Sequence, residues 1–439
     1  MKRLLGFHLT VRGRSRRRLR VATSAFLSLV LVLAVVTAAR AEFFFETKLT
    51  ASDLAADDNF GESVGISGNT AVVGAHGGNS AIFDEGAAYL FDVTTGKELF
   101  KLAGSDILPG DMFGRAVAIS GSTAIVGSRG RGDPDGPGSL GVAYLFDVST
   151  GRERFKLSPS DGNLVNLFGL SVGIDGNTAI VGTGADFEVN DGFGAAYLFD
   201  VTTGEQRLRL TPSDNPEDFG WSVGISGNTA IVGARSADGE ERGTGAVYVF
   251  DATTGEQRFK LTASDGKFRD VFGETVGISG NRAIVGARFQ DEAGINAGAA
   301  YVFDVTTGEQ LFKLTASDGE ADDRFGWSVA ISGDTAIVGA RLDDDGGINA
   351  GAAYLFDVIS GEELAKLTAS DADEADFFGS VAIDGSVSIV GAYRNDDPAQ
   401  NTGAAYLFHS IPEPSSLLLA IVALLALLMI RRPPACRGV

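Results

Sequence analysis

Carboxylate pairs and triplets are the groups in this sequence that come closest to a reactive constellation. They recur in polar segments as Asp57-Asp58, Asp322-Asp323, Asp343-Asp344-Asp345 and Asp396-Asp397. Two suitably separated carboxylates can carry out the acid/base chemistry of glycoside hydrolysis, and clustered carboxylates can bind Ca²⁺. Consecutive acids point neighbouring side chains in different directions, however, so they chelate less well than an alternating D-x-D-x-D-G loop. The simplest interpretation is a solvated acidic rim, with weak calcium binding as an open alternative.

Other reactive side chains are scarce. The chain of 439 residues has three histidines, His8, His76 and His409, and one cysteine, Cys436. A histidine-based triad, a multi-histidine metal site and a disulfide framework are therefore disfavoured. The net charge is −21, and both termini are basic, so the middle of the chain is strongly acidic. This charge argues against nucleic-acid binding and favours solubility, cations or basic partners.

A Phe-Gly pair recurs along the chain at intervals of 51 to 55 residues. The seven copies are Phe60-Gly61, Phe113-Gly114, Phe168-Gly169, Phe219-Gly220, Phe272-Gly273, Phe325-Gly326 and Phe378-Gly379. Each is followed by short runs rich in β-branched and aromatic residues, separated by tight turns such as SGDT and TTGE. Four antiparallel strands per period, without helical periodicity, predict an all-β fold, a seven-bladed β-propeller. A β-solenoid is the main alternative.

The two ends of the array help to decide between these folds. The seventh copy stops after its third strand, Gly403–Phe408, whereas an unpaired fourth strand, Phe45–Asp53, precedes the first copy. We therefore expect the N-terminal strand to complete the last blade and close the ring, which leaves no open edge. A solenoid would require capping repeats instead. The propeller domain is assigned to residues 42–409.

The Phe-Gly pairs are expected to be structural. The Phe should pack between adjacent blades, and the Gly should permit a close backbone approach or a positive φ. The residue after the pair varies, and in two copies it is Trp221 or Trp327. These indoles could stack on a sugar or simply pack between blades.

Successive links of an antiparallel blade alternate between the two faces of the disc. The strand 1–2 and strand 3–4 turns are short and nearly identical from copy to copy, whereas the strand 2–3 loops and the links between blades vary. Because loops on a rigid scaffold carry function, a recognition surface is predicted on the variable, acidic face. The candidate ligand residues on it are Asp57, Asp58, Asp322, Asp323, Asp343, Asp344, Asp345, Asp396 and Asp397.

The units resemble the FG-GAP repeats of integrin-like β-propellers. The likeness rests on the Phe-Gly pairs and on a recurrent Val-Gly-Ala, as at Gly339-Ala340. In that family a calcium loop of alternating Asp residues lies between the first two strands. Here the same link is only SGNT, SGDT or SGNR, too short to supply the roughly six to eight oxygens that Ca²⁺ takes. The resemblance thus implies the fold without the family's metal site, and the integrin-binding tripeptide Arg131-Gly132-Asp133 is attributed to chance.

Residues 1–41 have the pattern of a secretory signal. A basic segment is followed by the apolar run Val21–Val36 and by Ala39-Arg40-Ala41. Signal peptidase is therefore expected to cut after Ala41. An uncleaved anchor is the alternative, although the apolar run is shorter than the ~20 residues that a spanning helix prefers.

Residues 410–439 closely resemble the PEP-CTERM sorting signal of Gram-negative bacteria. Pro412, Glu413 and Pro414 precede the apolar run Leu417–Ile430 and the basic pair Arg431 and Arg432. The resemblance implies transient membrane insertion through residues 417–430, removal of the tail by an exosortase, and delivery to the cell surface or extracellular matrix. An unprocessed membrane anchor is the alternative.

Together these features predict an exported, non-catalytic surface or matrix protein, without a cofactor, that binds extracellular polysaccharide or surface proteins. No residue is assigned to catalysis, to a cofactor or to a metal. Two alternatives stay open: a carbohydrate-active enzyme that uses carboxylates of the variable face, and a calcium-stabilised adhesin.

Overall fold

Twenty-eight β-strands make up the regular structure of the described chain. The computed structural model describes residues 43–77, 85–130, 141–160, 167–184, 194–239, 241–397 and 399–411. The predicted signal peptide with Ala39 and Ala41, the tripeptide 131–133, and the predicted sorting tail with Pro412, Glu413, Pro414, Arg431 and Arg432 lie outside these residues. Within the described part of the chain, no helix has the length and apolar character needed to cross a membrane.

The strands follow one another at nearly regular intervals. The first half of the chain contains β1 Phe43–Leu49, β2 Val64–Ser67, β3 Thr70–Ala75, β4 Ala87–Asp92, β5 Glu98–Leu102, β6 Phe113–Ser120, β7 Thr123–Ser128, β8 Val142–Asp147, β9 Arg152–Leu157, β10 Ser171–Asp175, β11 Thr178–Gly182, β12 Ala196–Asp200 and β13 Gln206–Leu210. The second half contains β14 Phe219–Ser226, β15 Thr229–Ala234, β16 Ala246–Asp251, β17 Gln257–Leu261, β18 Thr275–Ser279, β19 Arg282–Ala287, β20 Ala299–Asp304, β21 Gln310–Leu314, β22 Phe325–Ser332, β23 Thr335–Ala340, β24 Ala352–Asp357, β25 Glu363–Leu367, β26 Phe378–Asp384, β27 Val387–Ala392 and β28 Ala404–Ile411.

These strands form seven four-stranded sheets, the blades. Six blades each take four consecutive strands, from β2–β5 for the first to β22–β25 for the sixth. The seventh blade has the order β1-β28-β27-β26, so the first described strand lies beside the last. The first strands of successive blades are neighbours in the closed order β2, β6, β10, β14, β18, β22, β26 and β2 again. The seven-bladed propeller closed by the N-terminal strand is thus confirmed, and a solenoid is excluded.

The aromatic core lies between blades. Phe325 is buried and meets Tyr354 and Phe356 edge-on, at ring-centroid separations of 5.5 and 5.8 Å. Its hydrophobic cluster also contains Ile284 and Val302 of the preceding blade. The same arrangement recurs at the other six Phe-Gly pairs. The prediction that this Phe packs between adjacent blades is confirmed.

Glycines allow neighbouring blades to approach backbone to backbone. Gly326 has a φ of 88°, and the glycine of the Phe-Gly pair has a positive φ in every blade except the seventh. A Cβ on Gly339, in the Val-Gly pair of β23, would collide with the backbone oxygen of Gly379 in the next blade. A side chain at this contact would therefore push the two blades apart.

A ring of hydrogen bonds joins the strand 1–2 turns around one face of the disc. In the sixth blade, the Gly333 N–H donates to Ser279 Oγ of the preceding blade at 3.1 Å. The ring closes where the Gly68 N–H donates to Asp384 Oδ2 of the seventh blade at 2.6 Å. The other five donor–acceptor pairs are Gly121–Ser67, Gly176–Ser120, Gly227–Asp175, Gly280–Ser226 and Gly385–Ser332. This ring explains why each turn begins with Ser or Asp followed by Gly.

On the outer side, each blade is fastened to the link that enters it from the preceding fourth strand. In the first blade, Glu98 accepts a hydrogen bond from the Ser52 N–H at 2.7 Å. The Tyr89 hydroxyl and the Lys101 ammonium group both donate to the carboxylate of Asp53, at 2.8 and 2.6 Å. These polar contacts fix the links of the variable face on the rigid sheets below them.

Candidate functional site

Two of the predicted ligand acids close turns that recur around the propeller. Asp58 and Asp323 lie two residues before a Phe-Gly pair, and each carboxylate accepts a hydrogen bond at 2.6 Å from the backbone N–H three residues earlier. Asp111, Asp270 and Asp376 make the same bond in their blades. A contact repeated in five blades belongs to the fold, and it does not set Asp58 or Asp323 apart as a unique site.

Asp323 nevertheless has a shifted acidity. Burial raises its pKa to about 6, against the hydrogen bond from the Glu320 N–H, and the carboxylates of Asp343 and Asp344 act in the same direction as burial. A raised pKa is what a general acid needs. Burial also raises the pKa of the equivalent Asp270 and Asp376, so we attribute the shift to the buried turn and not to catalysis.

Lys366 neutralises two acids of the loop between β23 and β24. Its ammonium group lies 2.9 Å from Asp343 Oδ2 and 2.5 Å from Asp345 Oδ2, and it also donates to Asp318 at 2.9 Å. Burial opposes the charged ammonium, but these hydrogen bonds prevail and raise the pKa of Lys366. A metal cation would have to displace Lys366 to bind these carboxylates.

The remaining candidate acids position loop asparagines or contact a lysine. The carboxylates of Asp344 and Asp396 accept hydrogen bonds at 2.7 Å from the N–H groups of Asn349 and Asn401, which have positive φ values. The amides of Asn296 and Asn401 donate to Asp322 and Asp57, and Asp397 lies 3.3 Å from Lys48. The nine acids are thus distributed over the first, sixth and seventh blades. Among the described residues, no group of three or more His, Cys, Asp and Glu side chains is placed to hold a metal ion.

A second set of side chains lies beside the innermost strands, which are neighbours around the ring. It comprises two positions in each blade: the residue after the Phe-Gly pair, and the second residue after the glycine of the Val-Gly pair. We call this set the mouth ring. Its members are Glu62, His76, Arg115, Arg129, Leu170, Gly184, Trp221, Arg235, Glu274, Arg288, Trp327, Arg341, Ser380 and Tyr393. The first position lies near the start of the innermost strand and the second lies at the start of the strand 2–3 loop, so the mouth ring lies on the variable face.

Arginines stack on tryptophans in the part of the mouth ring contributed by the fourth to sixth blades. The guanidinium carbon of Arg235 lies 3.1 Å from the ring centre of Trp221, and that of Arg341 lies 3.2 Å from the ring centre of Trp327. Arg288 of the fifth blade is 4.3 Å from Trp327. Stacking holds a planar guanidinium in one orientation and leaves its edge N–H groups available.

Two largely buried glutamates, Glu62 and Glu274, lie between the arginines. Glu274 Oε1 lies 3.3 Å from Arg235 Nη1, and its Oε2 lies 2.6 Å from Arg288 Nε without hydrogen-bond geometry. Glu62 forms an ion pair with Arg115 of the next blade, and His76 Nδ1 is 3.0 Å from its other oxygen. Burial opposes ionisation of Glu62, but Arg115 and His76 hold its pKa at about 2. Both glutamates therefore join neighbouring blades.

The mouth ring has more positive charge than these glutamates neutralise. Arg129 donates from Nε to Met112 Sδ at 3.1 Å, and Arg341 donates to the Tyr393 hydroxyl at 3.3 Å. Within the part of the chain that the structure describes, neither guanidinium has a carboxylate at ion-pair distance, and Arg341 Nε is buried without a hydrogen-bond partner. Burial lowers the pKa of both arginines. In an acidic protein, this ring is chemically suited to an anion.

A cavity of about 840 Å³ adjoins the mouth ring above the fourth blade. Arg235 belongs to both, and Arg242, Arg269 and Phe268 contribute to the cavity wall. The Phe268 side chain is 61 % exposed. Cavities of this size accommodate small ligands or a few units of a polymer.

The repeats match one known family along the propeller. The FG-GAP repeat family matches residues 43–91, 97–146, 152–199, 205–250, 256–303, 309–356 and 362–408. The chain belongs to the FG-GAP repeat family. A comparison with curated proteins found no match.

The FG-GAP unit is offset from the blade. Each match begins at a fourth strand, or one residue before it, and ends in the third strand of the next blade. β1 opens the first FG-GAP unit in the same way that β5 opens the second, so the closing strand is an ordinary part of the repeat. The offset means that each FG-GAP unit joins two blades covalently.

Sequence reasoning identified only part of the FG-GAP mouth ring. Trp221 and Trp327 were identified because they replace other residue types after the Phe-Gly pair. The arginines of the ring were not predicted, although one position holds an arginine in four of the seven repeats, as Arg129, Arg235, Arg288 and Arg341. A basic residue that recurs beside Val-Gly in an acidic chain was the available signal. Arginines cover faces of both indoles, so the edges of the guanidinium groups are a better candidate site than the indole faces.

Proposed function

We propose that this FG-GAP propeller is an exported, non-catalytic protein of the cell surface or extracellular matrix that binds a polymer or protein partner through its variable face. The observation that carries the proposal is the difference between the two faces. One consists of equivalent turns joined by seven equivalent hydrogen bonds. The other has blade-specific loops around the mouth ring and the adjoining cavity. Specific recognition needs such local differences on a rigid frame.

Within the variable face, the charges favour the mouth ring over the acidic loops as the binding surface. The predicted acids bond to loop N–H groups, to asparagine amides or to lysines. The guanidinium groups of Arg129 and Arg341 have no such neutralising partner among the described residues. A partner that brings carboxylates would gain more at the ring than a cation would gain at the loops.

A binding screen with the full-length protein tests this proposal. Purified matrix polysaccharides and surface proteins are presented to the wild type, to Arg242→Glu and Ile295→Asp on the variable face, and to Thr254→Ala on the opposite face. We expect at least one ligand whose binding weakens in the variable-face variants and not in Thr254→Ala. Loss of binding in Thr254→Ala alone would contradict the proposed surface. Release of new reducing ends from a bound polysaccharide would contradict a non-catalytic role and favour a carbohydrate-active enzyme.

The proposed location rests on the two ends of the sequence. Residues 1–41 support export with cleavage after Ala41, and residues 410–439 support exosortase processing near Pro412-Glu413-Pro414. Mass spectrometry of protein recovered from the outside of Gram-negative cells should find a mature N-terminus at Glu42 and no peptide that contains Cys436. An intact Cys436 peptide would contradict processing and favour an unprocessed anchor.

A further inference from the structure

The mouth ring combines three features that favour an anionic ligand. Five arginines belong to it, against the two glutamates Glu62 and Glu274. Asp218, outside the ring, adds one more carboxylate, 3.1 Å from Arg235 Nε. Stacking on two tryptophans orients three of these arginines. Buried guanidinium nitrogens in and beside the ring, those of Arg341 and Arg324, have no hydrogen-bond partner among the described residues.

We propose that the mouth ring is an oxyanion-binding site that takes a carboxylate of an acidic polysaccharide on the edges of its arginines. This inference deepens the proposed function and rests on it. A planar guanidinium matches a carboxylate through two parallel hydrogen bonds. Among the stacked arginines, Arg341 is the one without a carboxylate partner in the described residues, and the indole of Trp327 fixes the plane of its fork before the ligand arrives, which lowers the entropy cost of binding.

Desolvation supports the same assignment. Burial lowers the pKa of Arg129, Arg288 and Arg341, to about 10 in the case of Arg288. A charged group that is withdrawn from water without a full set of partners costs free energy. An anion that enters the ring supplies the missing acceptors and offsets this cost.

The surroundings distinguish sparsely charged from densely charged anions. Loop acids such as Asp344 and Asp396 lie on the same face, and the chain as a whole carries a net charge of −21. This field repels a polymer that carries a charge on every unit more than it repels one whose carboxylates are separated by neutral units. The cavity beside Arg235, with the exposed ring of Phe268, offers room for neutral sugar units next to the bound carboxylate.

Tryptophan fluorescence gives a local readout, because the chain has two tryptophans and both belong to the mouth ring. The full-length protein is titrated with partly methyl-esterified polygalacturonate, with the fully esterified polymer as an uncharged control, and with dextran sulfate as a densely charged one. We expect the partly esterified polymer to bind and to change the fluorescence. Fully esterified polymer should leave the spectrum unchanged, and dextran sulfate should bind more weakly. A fluorescence change of equal size with the fully esterified polymer would overturn the proposal.

Arginine variants test the assignment directly. Arg341→Gln and Arg129→Gln should each weaken binding by about tenfold or more, as expected for a charged hydrogen-bonded contact. Arg341→Lys, which keeps the charge but loses the planar fork, should fall between Arg341→Gln and the wild type. Arg207→Gln, on an outer strand and paired with Asp200, should match the wild type. The melting temperature of each variant controls for misfolding.

Two outcomes separate this inference from the proposed function. Polymer binding with no fluorescence change, and with equal affinity for Arg341→Gln and the wild type, would overturn the anion site and leave the proposed surface function intact. If the protein proves adhesive but no acidic polymer binds in the fluorescence titration, acidic polysaccharide would also be ruled out as the ligand.

Discussion

The ammonium group of Lys48 lies 2.7 Å from Asp371 Oδ2, although 323 positions separate the two residues in the chain. Lys101 makes the same contact with Asp53 in the first blade, where its strand follows the rest of the sheet directly. Strand β1 thus supplies to the seventh blade the polar contact that a continuous fourth strand supplies elsewhere. The ring is closed by an equivalent of the fourth strand and not by a cap.

Removal of the closing strand should destabilise the whole propeller. Deletion of residues 43–49 leaves one edge of β28 unpaired and removes Leu49, whose burial alone contributes about 2 kcal/mol. We expect a clearly lower melting temperature by circular dichroism.

Glu46→Ala removes the hydrogen bond from the Ser370 hydroxyl, which is 2.7 Å long. The variant should lose about 1 kcal/mol of unfolding free energy.

Glu98→Ala is the matched control for Glu46→Ala, because Glu98 accepts hydrogen bonds from the Ser52 hydroxyl and the Ser52 N–H within a continuous blade. The two variants should lose similar stability. An unchanged melting curve for the deletion would contradict closure by β1.

Two glycines six residues apart should respond very differently to alanine. Gly333 has a φ of 57°, and no heavy atom lies within 4 Å of an added Cβ. The only free-energy cost expected for Gly333→Ala is therefore that of a left-handed backbone conformation in a non-glycine residue. That conformation costs about 1–2 kcal/mol. Gly339→Ala places its Cβ against the backbone of Gly379 and should cost about 3 kcal/mol or more. Urea unfolding measures both, and equal losses would refute the backbone contact between blades.

The raised pKa of Asp323 predicts a pH-dependent gain for Asp323→Asn. The native state holds the Asp323 proton more tightly than the unfolded chain does, so ionisation between about pH 4 and pH 6 lowers stability. Asparagine removes this cost and keeps an acceptor for the Glu320 N–H. We expect Asp323→Asn to exceed the wild type in stability on the order of 2 kcal/mol at pH 7.5, and to lose this advantage as the pH falls to 4.

Asp318→Asn is the matched control with the opposite sign. Burial opposes its ionisation, but hydrogen bonds from Lys366 and Tyr354 prevail and lower the pKa of Asp318. Its charge therefore stabilises the native state above the ordinary pKa, and the benefit is lost as the pH falls through the lowered value. Asp318→Asn should be destabilised at pH 7.5, by an amount that shrinks in acid. Parallel pH profiles for the two variants would contradict these assignments.

Calcium removal should not change the stability of the wild type. The ammonium group of Lys366 already forms ion pairs with the carboxylates of Asp318, Asp343 and Asp345. We therefore expect the same melting temperature with and without a chelator. Lys366→Met removes the cation that these three carboxylates share and should lower the melting temperature equally with and without a chelator, because an ion pair that loses one partner is destabilising. A chelator-sensitive wild type would favour the calcium-stabilised adhesin.

The fold could be predicted because seven copies of one repeat show the same pattern of strands and turns. Seven Phe-Gly pairs fix the number of blades, and the unpaired strand at Phe45–Asp53 reveals how the ring closes. The role of Gly333 in the hydrogen-bonded turn ring was not predictable, because its acceptor, Ser279, belongs to another repeat. Local sequence shows a tight turn but not the neighbour that the turn contacts.

The candidate site was predicted only at the level of the face. Asp323 and Asp343 looked like free carboxylates in the sequence, since nothing in their spacing shows that a buried turn and Lys366 already use them. Arg341 looked like the first residue of a loop. Its stacking on Trp327 depends on the register of two strands and on the glycines beside them, which bring the two side chains together.

Immobilisation through one face at a time is the most direct test of binding through the variable face. In a Cys436→Ser background, the full-length protein is tethered either through Thr254→Cys, on the face of equivalent turns, or through Ile348→Cys, on an exposed loop of the variable face. Binding of surface polymers and proteins is then measured by surface plasmon resonance. We expect full binding by the protein tethered at 254 and little or none by the protein tethered at 348. Equal binding in both orientations, or binding only when the variable face is blocked, would contradict this expectation.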